Sequence, residues 1–557
     1  MKQTTKIILH STSHLILFFG VIIAAASLQR PDHAQQPSIS EPHHEVTSSQ
    51  VSVSEDDSAQ LASPSSQQPP QIQKTTYPTR TLSPKHQEIK HAVTKEYVYH
   101  MFAAPNDPGY ADNWALAKIQ APTAWDAATG NGSTTIAIID SGYALAHEDL
   151  ENQWATNANE MGMTQIGDRC WTGVSVDKQS NNCDDDNNGY VDDWRGWNFV
   201  IGDNNPQTGR ENPSGDGTRH GTQVSGVAGA RGNNGIGVAT VNWNTQLMPL
   251  QALSDDGYGY TSDVTAAMYY AVDNEADVIN LSLGSYSDDP AMRAAIAYAS
   301  SHNVVVVAAS GNCGDGTGDE CIGISPGTVA YPAAYPDVIA VGATTQSDQR
   351  ASFSSYGSEL DVSAPGYAIP PSTSWSETHP TSLYSGYLYG TSFASPQVAS
   401  LVALVKSVRP SSSIADITAL IDASATKIGI MNGLMYSDTV GHGIINVHSA
   451  VVFAGILNAT GSATPQLLQA GSYQSERTAP TSSILGSGCV TVASTICTIQ
   501  MTSSSGHKRF LPYTIANSSG ESGWSWIANT LGGGSWELRA RNGENTSTVP
   551  YTLTKTG

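Results

Sequence analysis

Basic residues are scarce in this chain of 557 residues: 26 lysines and arginines stand against 49 aspartates and glutamates, a formal charge of −23. A nucleic-acid binder needs a basic footprint, so that partner class is excluded. The acidic excess suits solubility and cation binding outside the cell. Long apolar runs are almost absent. The one that stands out, Leu15-Ile16-Leu17-Phe18-Phe19-Gly20-Val21-Ile22-Ile23-Ala24-Ala25-Ala26, follows Lys2 and Lys6 and ends in small residues, the pattern of a signal peptide. No cysteine follows it, which argues against a lipoprotein. No later span is long enough for a bilayer. The expectation is therefore a secreted, extracellular, monomeric protein with no stable membrane association after signal cleavage. Cysteine is also sparse: Cys170, Cys183, Cys313, Cys321, Cys489 and Cys497 fall into three sequence-local pairs without zinc-site spacing. An even count with export suggests three disulfides that each close a short loop.

Against these absences stand three dense motifs. Gly390-Thr391-Ser392-Phe393-Ala394-Ser395-Pro396 places a serine at the mouth of a helix, since Val398, Leu401, Val402, Val405 and Val408 recur at helical spacing until Pro410. There Ser392 would feel the positive end of a helix dipole, although a serine at such a place is also a common N-cap. Thr134-Thr135-Ile136-Ala137-Ile138-Ile139-Asp140-Ser141-Gly142 reads as a buried parallel strand delivering Asp140 to its carboxyl edge, where sites lie in open α/β sheets. His220 opens a stretch of small residues, Gly221-Thr222-Gln223-Val224-Ser225-Gly226-Val227-Ala228-Gly229, suited to a helix packed closely under a sheet.

The order Asp140, His220, Ser392 is that of subtilisin-type enzymes, and no Gly-x-Ser-x-Gly elbow surrounds Ser392. From about residue 106 to 452 the chain resembles the subtilase family of serine endopeptidases. The resemblance implies an α/β fold, a mostly parallel doubly wound sheet with helices on both faces, and catalysis on protein and peptide substrates through an Asp140–His220–Ser392 triad. Val304-Val305-Val306-Val307-Ala308-Ala309-Ser310-Gly311-Asn312 is a buried valine strand ending in a glycine turn; the family uses the asparagine at this place as an oxyanion donor, which assigns that role to Asn312. Gln397 departs from the family, which usually carries histidine there. A catalytically silent subtilase fold serving in binding or adhesion is the alternative, disfavoured because all four residues are present.

The resemblance also places substrate contacts at Gly257, Leu283, Gly284, Ala309, Ser310 and Ala330. None of these wall residues is acidic, so an apolar residue is expected before the scissile bond. Calcium is the expected cofactor, at Asp184, Asp186, Asn188, Asp192 and Asp193. Their alternating oxygens and Gly189 imitate the first half of a calcium loop, but Arg195 stands where an EF-hand would carry glutamate. Family resemblance adds Asn113, Asp149 and Asn234 as a second set.

The chain divides by composition. Residues 1–26 form the signal peptide, and 27–104 a low-complexity pro-segment rich in Ser, Gln, Pro and Thr that is expected to be disordered. The catalytic domain is assigned to 105–455, a linker to 456–481, and a small all-β C-terminal domain to 482–557, where short alternating runs are separated by glycine clusters.

Overall fold

The computed structural model describes residues 104–370, 373, 383–432, 434 and 436–459, and beyond them only the backbone of strands between residues 466 and 553. The expected signal peptide, all but the last residue of the pro-segment and most of the linker lie outside the described residues. Two short helices, α1 (Trp114–Lys118) and α2 (Ala121–Ala124), lead into β1 (Thr135–Asp140). There follow β2 (Trp197–Asn198), α3 (His220–Gly229), β3 (Gln246–Gln251), α4 (Thr261–Asp273), β4 (Val278–Leu281) and α5 (Pro290–Ser301). Then come β5 (Val305–Ala309), β6 (Val338–Thr344), β7 (Val362–Pro365), the hairpin strands β8 (Tyr367–Ile369) and β9 (Leu388–Tyr389), α6 (Ser395–Val408), α7 (Ile414–Ser424) and α8 (Val447–Ala459).

Strands β1 to β7 form one sheet in the order β2-β3-β1-β4-β5-β6-β7, with every neighbouring pair parallel. Alternation along the strands feeds two cores. Ile136, Ile138, Val305, Val307 and Val341 join α3 and α6 on one face. Ala137, Ile139, Val306, Ala308 and Ala340 join α4 and α5 on the other. A strand covered on both faces has no polar side, which is why these segments read as continuous apolar runs. Each fully buried valine or isoleucine contributes roughly 1.5–3 kcal/mol.

The chain leaves β1 to build β2 and β3 on one side, then returns to add β4 on the other. The order of the strands reverses at that point, opening a crevice at the carboxyl ends of β1 and β4. Asp140 is the last residue of β1 and stands at its edge. Helix α3 comes up against it because Gly221 has no side chain: a Cβ there would lie 2.4 Å from the Gly142 carbonyl oxygen.

One local expectation is corrected. Ser392 does not open the long helix; it lies in a 3-10 turn, Thr391–Phe393, and α6 begins only at Ser395. Pro396 in the first turn of α6 explains the offset, because proline is preorganised to start a helix and has no N–H to continue one backwards. Beyond residue 466, Ile484–Val490 pairs antiparallel with Glu521–Ile527, and Gly534–Asn542 with Asn545–Leu553. The side chains of Cys489 and Cys497 lie outside the described residues; the other two expected disulfides, Cys170–Cys183 and Cys313–Cys321, are formed.

Candidate active site

Asp140 is fully buried, and its Oδ1 lies 2.8 Å from His220 Nδ1. The same oxygen accepts the Ser141 N–H at 2.7 Å. With Nδ1 donating to the carboxylate, Nε2 is left as the acceptor nitrogen. The His220 side chain remains 29% exposed, so the ring meets the cleft. Burial pulls its imidazole down, but the Asp140 charge and hydrogen bond together hold it above its usual value.

Ser392 is stitched to β4. Its hydroxyl donates to the Ser282 carbonyl at 3.3 Å, and its own carbonyl accepts the Ser282 hydroxyl at 2.8 Å. Behind it, Ser395 donates to Asn280 Oδ1 at 2.9 Å, and Asn280 Nδ2 donates to Ser282 Oγ at 3.0 Å. These buried hydroxyls and amide satisfy one another and tie the Ser392 turn to the sheet. Gln397 adds a second tie on the other side: its Nε2 donates to the carbonyls of Phe393 at 2.7 Å and Pro365 at 2.6 Å. A neutral histidine has one ring N–H and could not make both bonds.

Asn312 follows β5 through Gly311, whose φ of +103° a side chain would strain. Its Oδ1 accepts both the N–H and the hydroxyl of Thr391 at 2.9 Å. The amide is thereby oriented with Nδ2 toward the turn that carries Ser392, 3.7 Å from where a Cβ on Gly390 would sit. Thr391 was not singled out from the sequence; its place beside Ser392 in the same motif was the available signal.

A cavity of about 550 Å³ opens beside His220, walled by Gly257–Tyr260 on one side and Ser282–Ser285 on the other. Gly257, Leu283 and Gly284 line it. Ala309, Ser310 and Ala330 do not; they are buried behind the Asn312 turn, with the Ala330 Cβ 3.0 Å from a Cβ built on Gly284 and 3.2 Å from one built on Gly311.

The acidic loop assembles differently from its sequence pattern. Carboxylate oxygens of Asp186 and Asp193 gather with Glu160, all within 4.8 Å of one another. Glu160 is fully buried, and its Oε2 has no hydrogen-bond partner. Burial is the main force pushing its carboxyl up to about 7; N–H bonds from Asp186 and Asp185 oppose this, and the Asp193 and Asp186 charges add to it. Asp193 is raised by burial as well. Asp184, Asn188 and Asp192 lie outside this trio: Asp184 accepts the N–H groups of Asn188 and Gly189, Asn188 Nδ2 donates to Asp193, and Asp192 accepts the Asn182 N–H. Glu160 had no local signal in the sequence.

A second acidic pocket joins two members of the other expected set, Asn234 Nδ2 donating to Asp149 Oδ1 at 2.9 Å. Asp107 accompanies them, accepting the N–H groups of Asn233 and Asn234, whereas Asn113 lines a small cavity against Gln397. Burial raises Asp149 to about 7 against hydrogen bonds from Val238 and Asn234.

The subtilase family model matches residues 131–443. Thermitase of Thermoactinomyces vulgaris is 35% identical over 326 residues, 58% of this chain and 92% of thermitase. Subtilisin E of Bacillus subtilis (strain 168) is 41% identical over 239 residues, 43% of this chain and 57% of that protein. The thermophilic serine proteinase of Bacillus sp. (strain AK1) is 32% identical over 358 residues, 64% of this chain and 71% of that one. Because the family match spans more than half of the chain and runs through the sheet edge just described, the chain belongs to the subtilase family and is a serine endopeptidase.

Proposed function

We propose that this endopeptidase cuts peptide bonds through Asp140, His220 and Ser392, with Asn312 and the Ser392 N–H as oxyanion donors. The observation that carries the reading is the 2.8 Å contact of His220 Nδ1 with buried Asp140, which leaves Nε2 as a base at the strand crossover. Rotation of the Ser392 hydroxyl away from the Ser282 carbonyl toward Nε2 primes it; such contacts commonly tighten only when substrate binds. His220 then takes the hydroxyl proton as Oγ bonds to the scissile carbonyl carbon. Negative charge moves to the carbonyl oxygen, which accepts hydrogen bonds from Asn312 Nδ2 and the Ser392 N–H. On collapse the C–N bond breaks and His220 gives its proton to the leaving amine. Water, deprotonated by the same imidazole, attacks the acyl-enzyme, and Oγ leaves with the returned proton. Asp140 holds the ring through Nδ1 and stabilises the imidazolium.

Substrate would lie along Gly257 as an added strand, with an apolar side chain directed between Leu283–Gly284 and Ala309–Ser310 toward Ala330. Calcium fits the trio Glu160, Asp186 and Asp193, since three carboxylates converge there and the orphaned Glu160 Oε2 offers an oxygen that a cation would satisfy. Bound there, it would stabilise the fold and take no part in bond cleavage. The charge pattern and the apolar run near residue 15 support secretion, and no helix among the described residues is long and apolar enough to cross a membrane. We assign the signal peptide, pro-segment, catalytic domain, linker and C-terminal β domain to 1–26, 27–104, 105–455, 456–481 and 482–557.

The test is labelling by a fluorophosphonate. Wild type should be labelled and should digest casein. Ser392→Ala should lose both, with kcat down by roughly 10⁶ and the melting temperature little changed. Caseinolysis retained by a clean Ser392→Ala preparation would overturn the assignment.

A further inference from the structure

The Cys313–Cys321 bond begins at the residue after Asn312, and its cysteines are only 8 positions apart. Both cysteines are buried, at 1% and 2% exposure, in a chain segment whose intervening residues run largely over the surface. That segment, Gly314-Asp315-Gly316-Thr317-Gly318-Asp319-Glu320, holds three glycines, two of them at positive φ, and no apolar side chain that could anchor it to a core. A sequence of this kind has many accessible conformations. Cys321 Sγ reaches back to within 3.8 Å of the Asn312 carbonyl oxygen. The crosslink thus closes around the Asn312–Cys313 peptide. The Asn312 side chain is fixed at its far end by Thr391. Its backbone is held before it at Gly311, whose N–H donates to Thr391 Oγ1 at 3.3 Å and whose carbonyl accepts the Ser355 N–H at 2.9 Å, and after it by Cys313 N–H to Ser355 Oγ at 3.3 Å and Gly314 N–H to the Phe353 carbonyl at 2.6 Å, where the glycine-rich loop begins.

We infer that the Cys313–Cys321 disulfide is a positioning element for the Asn312 amide: by closing the glycine-rich loop back onto Cys313, beside the Asn312–Cys313 peptide, it keeps Nδ2 where the oxyanion forms. The inference rests on the oxyanion role proposed for Asn312. It takes that role further, because a side chain held at one end by Thr391 can still pivot if its own backbone moves. Oxyanion stabilisation is sensitive to such pivoting, since a donor is effective only over a narrow range of distance to the developing charge. A displacement near 1 Å in an active site can cost about 100-fold in rate. A disulfide that served only to close a loop against unfolding would act on stability and leave the donor's position alone.

Non-additivity separates these roles. The full chain is prepared as wild type, as Cys313→Ala/Cys321→Ala, as Asn312→Ala, and as all three substitutions together; kcat and KM are measured on one peptide amide well below each melting temperature. In the Asn312-containing background, loss of the crosslink should lower kcat about tenfold, with KM moving less than twofold. In the Asn312→Ala background the same loss should change kcat by less than about twofold, because the amide that the crosslink positions is already gone and the Ser392 N–H lies on another segment. An equal factor in both backgrounds, a rise in KM alone, or an unchanged kcat would overturn the positioning role. An Asn312→Ala variant with undiminished kcat would instead remove the oxyanion reading itself, a separately visible outcome. If the double alanine chain does not fold, folded oxidised protein is reduced and alkylated at this bond, the extent counted by mass spectrometry, and the same two backgrounds are compared.

Discussion

The catalytic edge and the acidic loop are held by different forces. Asp140 and Asn312 stand at or just past the ends of β1 and β5, strands whose backbones are paired on both sides and whose side chains are buried in two cores. The segment from Glu160 to Asp193 has little such backbone ladder. It is held by side chains: Asn157 Nδ2 bridges Asp186 and Asp193, Tyr270 donates to Asp193 at 2.6 Å, Asn181 donates to Asp185, and Cys170–Cys183 clips the middle. In the first region chemistry is mounted on a frame that would stand without it. In the second the acidic groups are the frame, and their mutual repulsion is part of what the loop must overcome.

The sharpest way to break this contrast is Asp140→Asn. If the edge is independent of its chemistry, the asparagine should leave the melting temperature near the wild-type value while kcat falls by roughly 10⁴, through loss of the correct tautomer and of charge stabilisation. The pH dependence carries a second signature. His220 lies above its usual value only because the Asp140 charge and hydrogen bond outweigh burial. With the charge gone, burial dominates and the imidazole moves down. The rise of residual activity with pH, which follows deprotonation of the base, should therefore shift to lower pH. A rise at unchanged pH would mean that a group other than His220 is being titrated. A collapse in stability would show that the edge needs its carboxylate as a structural member.

The contrast also explains what could be read in advance. The proposed triad residues and Asn312 each sit in a short local pattern, an apolar run or a stretch of small residues with a turn or a helix at its end, so position along the chain predicts position in space. Buried strands with both faces covered leave a continuous apolar signature, which marked β1 and β5; the fold that joins them was what the family resemblance implied. The acidic loop was legible only as composition. Glu160 closes it from 25 residues before Asp185, whose N–H it accepts, and nothing around Glu160 in the sequence marks it as a partner. Asp184 and Asp192 have the spacing of ligands, but their carboxylates are not among the three that converge. Spacing gives the oxygens of a loop; which of them converge depends on tertiary contacts such as Tyr270. Asp107 was missed for the same reason, since its link to Asn233 and Asn234 spans 126 and 127 positions.

On the loop side the expected effects are smaller and fall on stability. Excess chelator should lower the melting temperature and hasten autolysis, because a ligand bound only by the folded state stabilises it, by about 2.7 kcal/mol at a hundredfold excess over Kd. Glu160→Gln together with Asp186→Asn should abolish the part of the calcium response that belongs to this trio. Measured in chelator, the pair of substitutions should be stabilising relative to wild type, since burial already opposes the charge on Glu160 and holds its carboxyl up to about 7. The sign follows from proton binding: the unfolded carboxyl has the lower pKa, so at pH 7 the folded state carries an electrostatic penalty that the neutral amide lacks. A wild-type melting temperature that ignores both calcium and chelator would leave the trio as a self-contained acidic network and remove half of the contrast.

The smallest effect tests whether the catalytic edge can be re-tuned without disturbing its frame. The Ala330 methyl lies between Gly284 and Gly311, 3.0 Å and 3.2 Å from the positions their Cβ atoms would take, at 2% exposure. Gly284 belongs to one proposed wall and Gly311 follows the other, Ala309–Ser310, so the proposed pocket has this methyl as its floor. No wall residue is charged, and a lysine or arginine side chain directed there would lose hydration without gaining a partner. Cleavage should favour Leu, Phe, Tyr or Met before the scissile bond. A ring reaches deeper than a branched aliphatic chain, so the methyl penalises Phe and Tyr more than Leu. Ala330→Gly should then raise the Phe-to-Leu cleavage ratio by about fourfold, the factor that corresponds to about 0.8 kcal/mol for one methylene-sized group. Added backbone freedom should cost roughly 0.5–1 kcal/mol of stability. A peptide-library digest read by mass spectrometry gives the ratio for wild type and Ala330→Gly. Dominant cleavage after Arg or Lys would refute the apolar pocket, and an unmoved ratio would place its floor elsewhere, on a residue that the frame positions but the glycine pair does not mark.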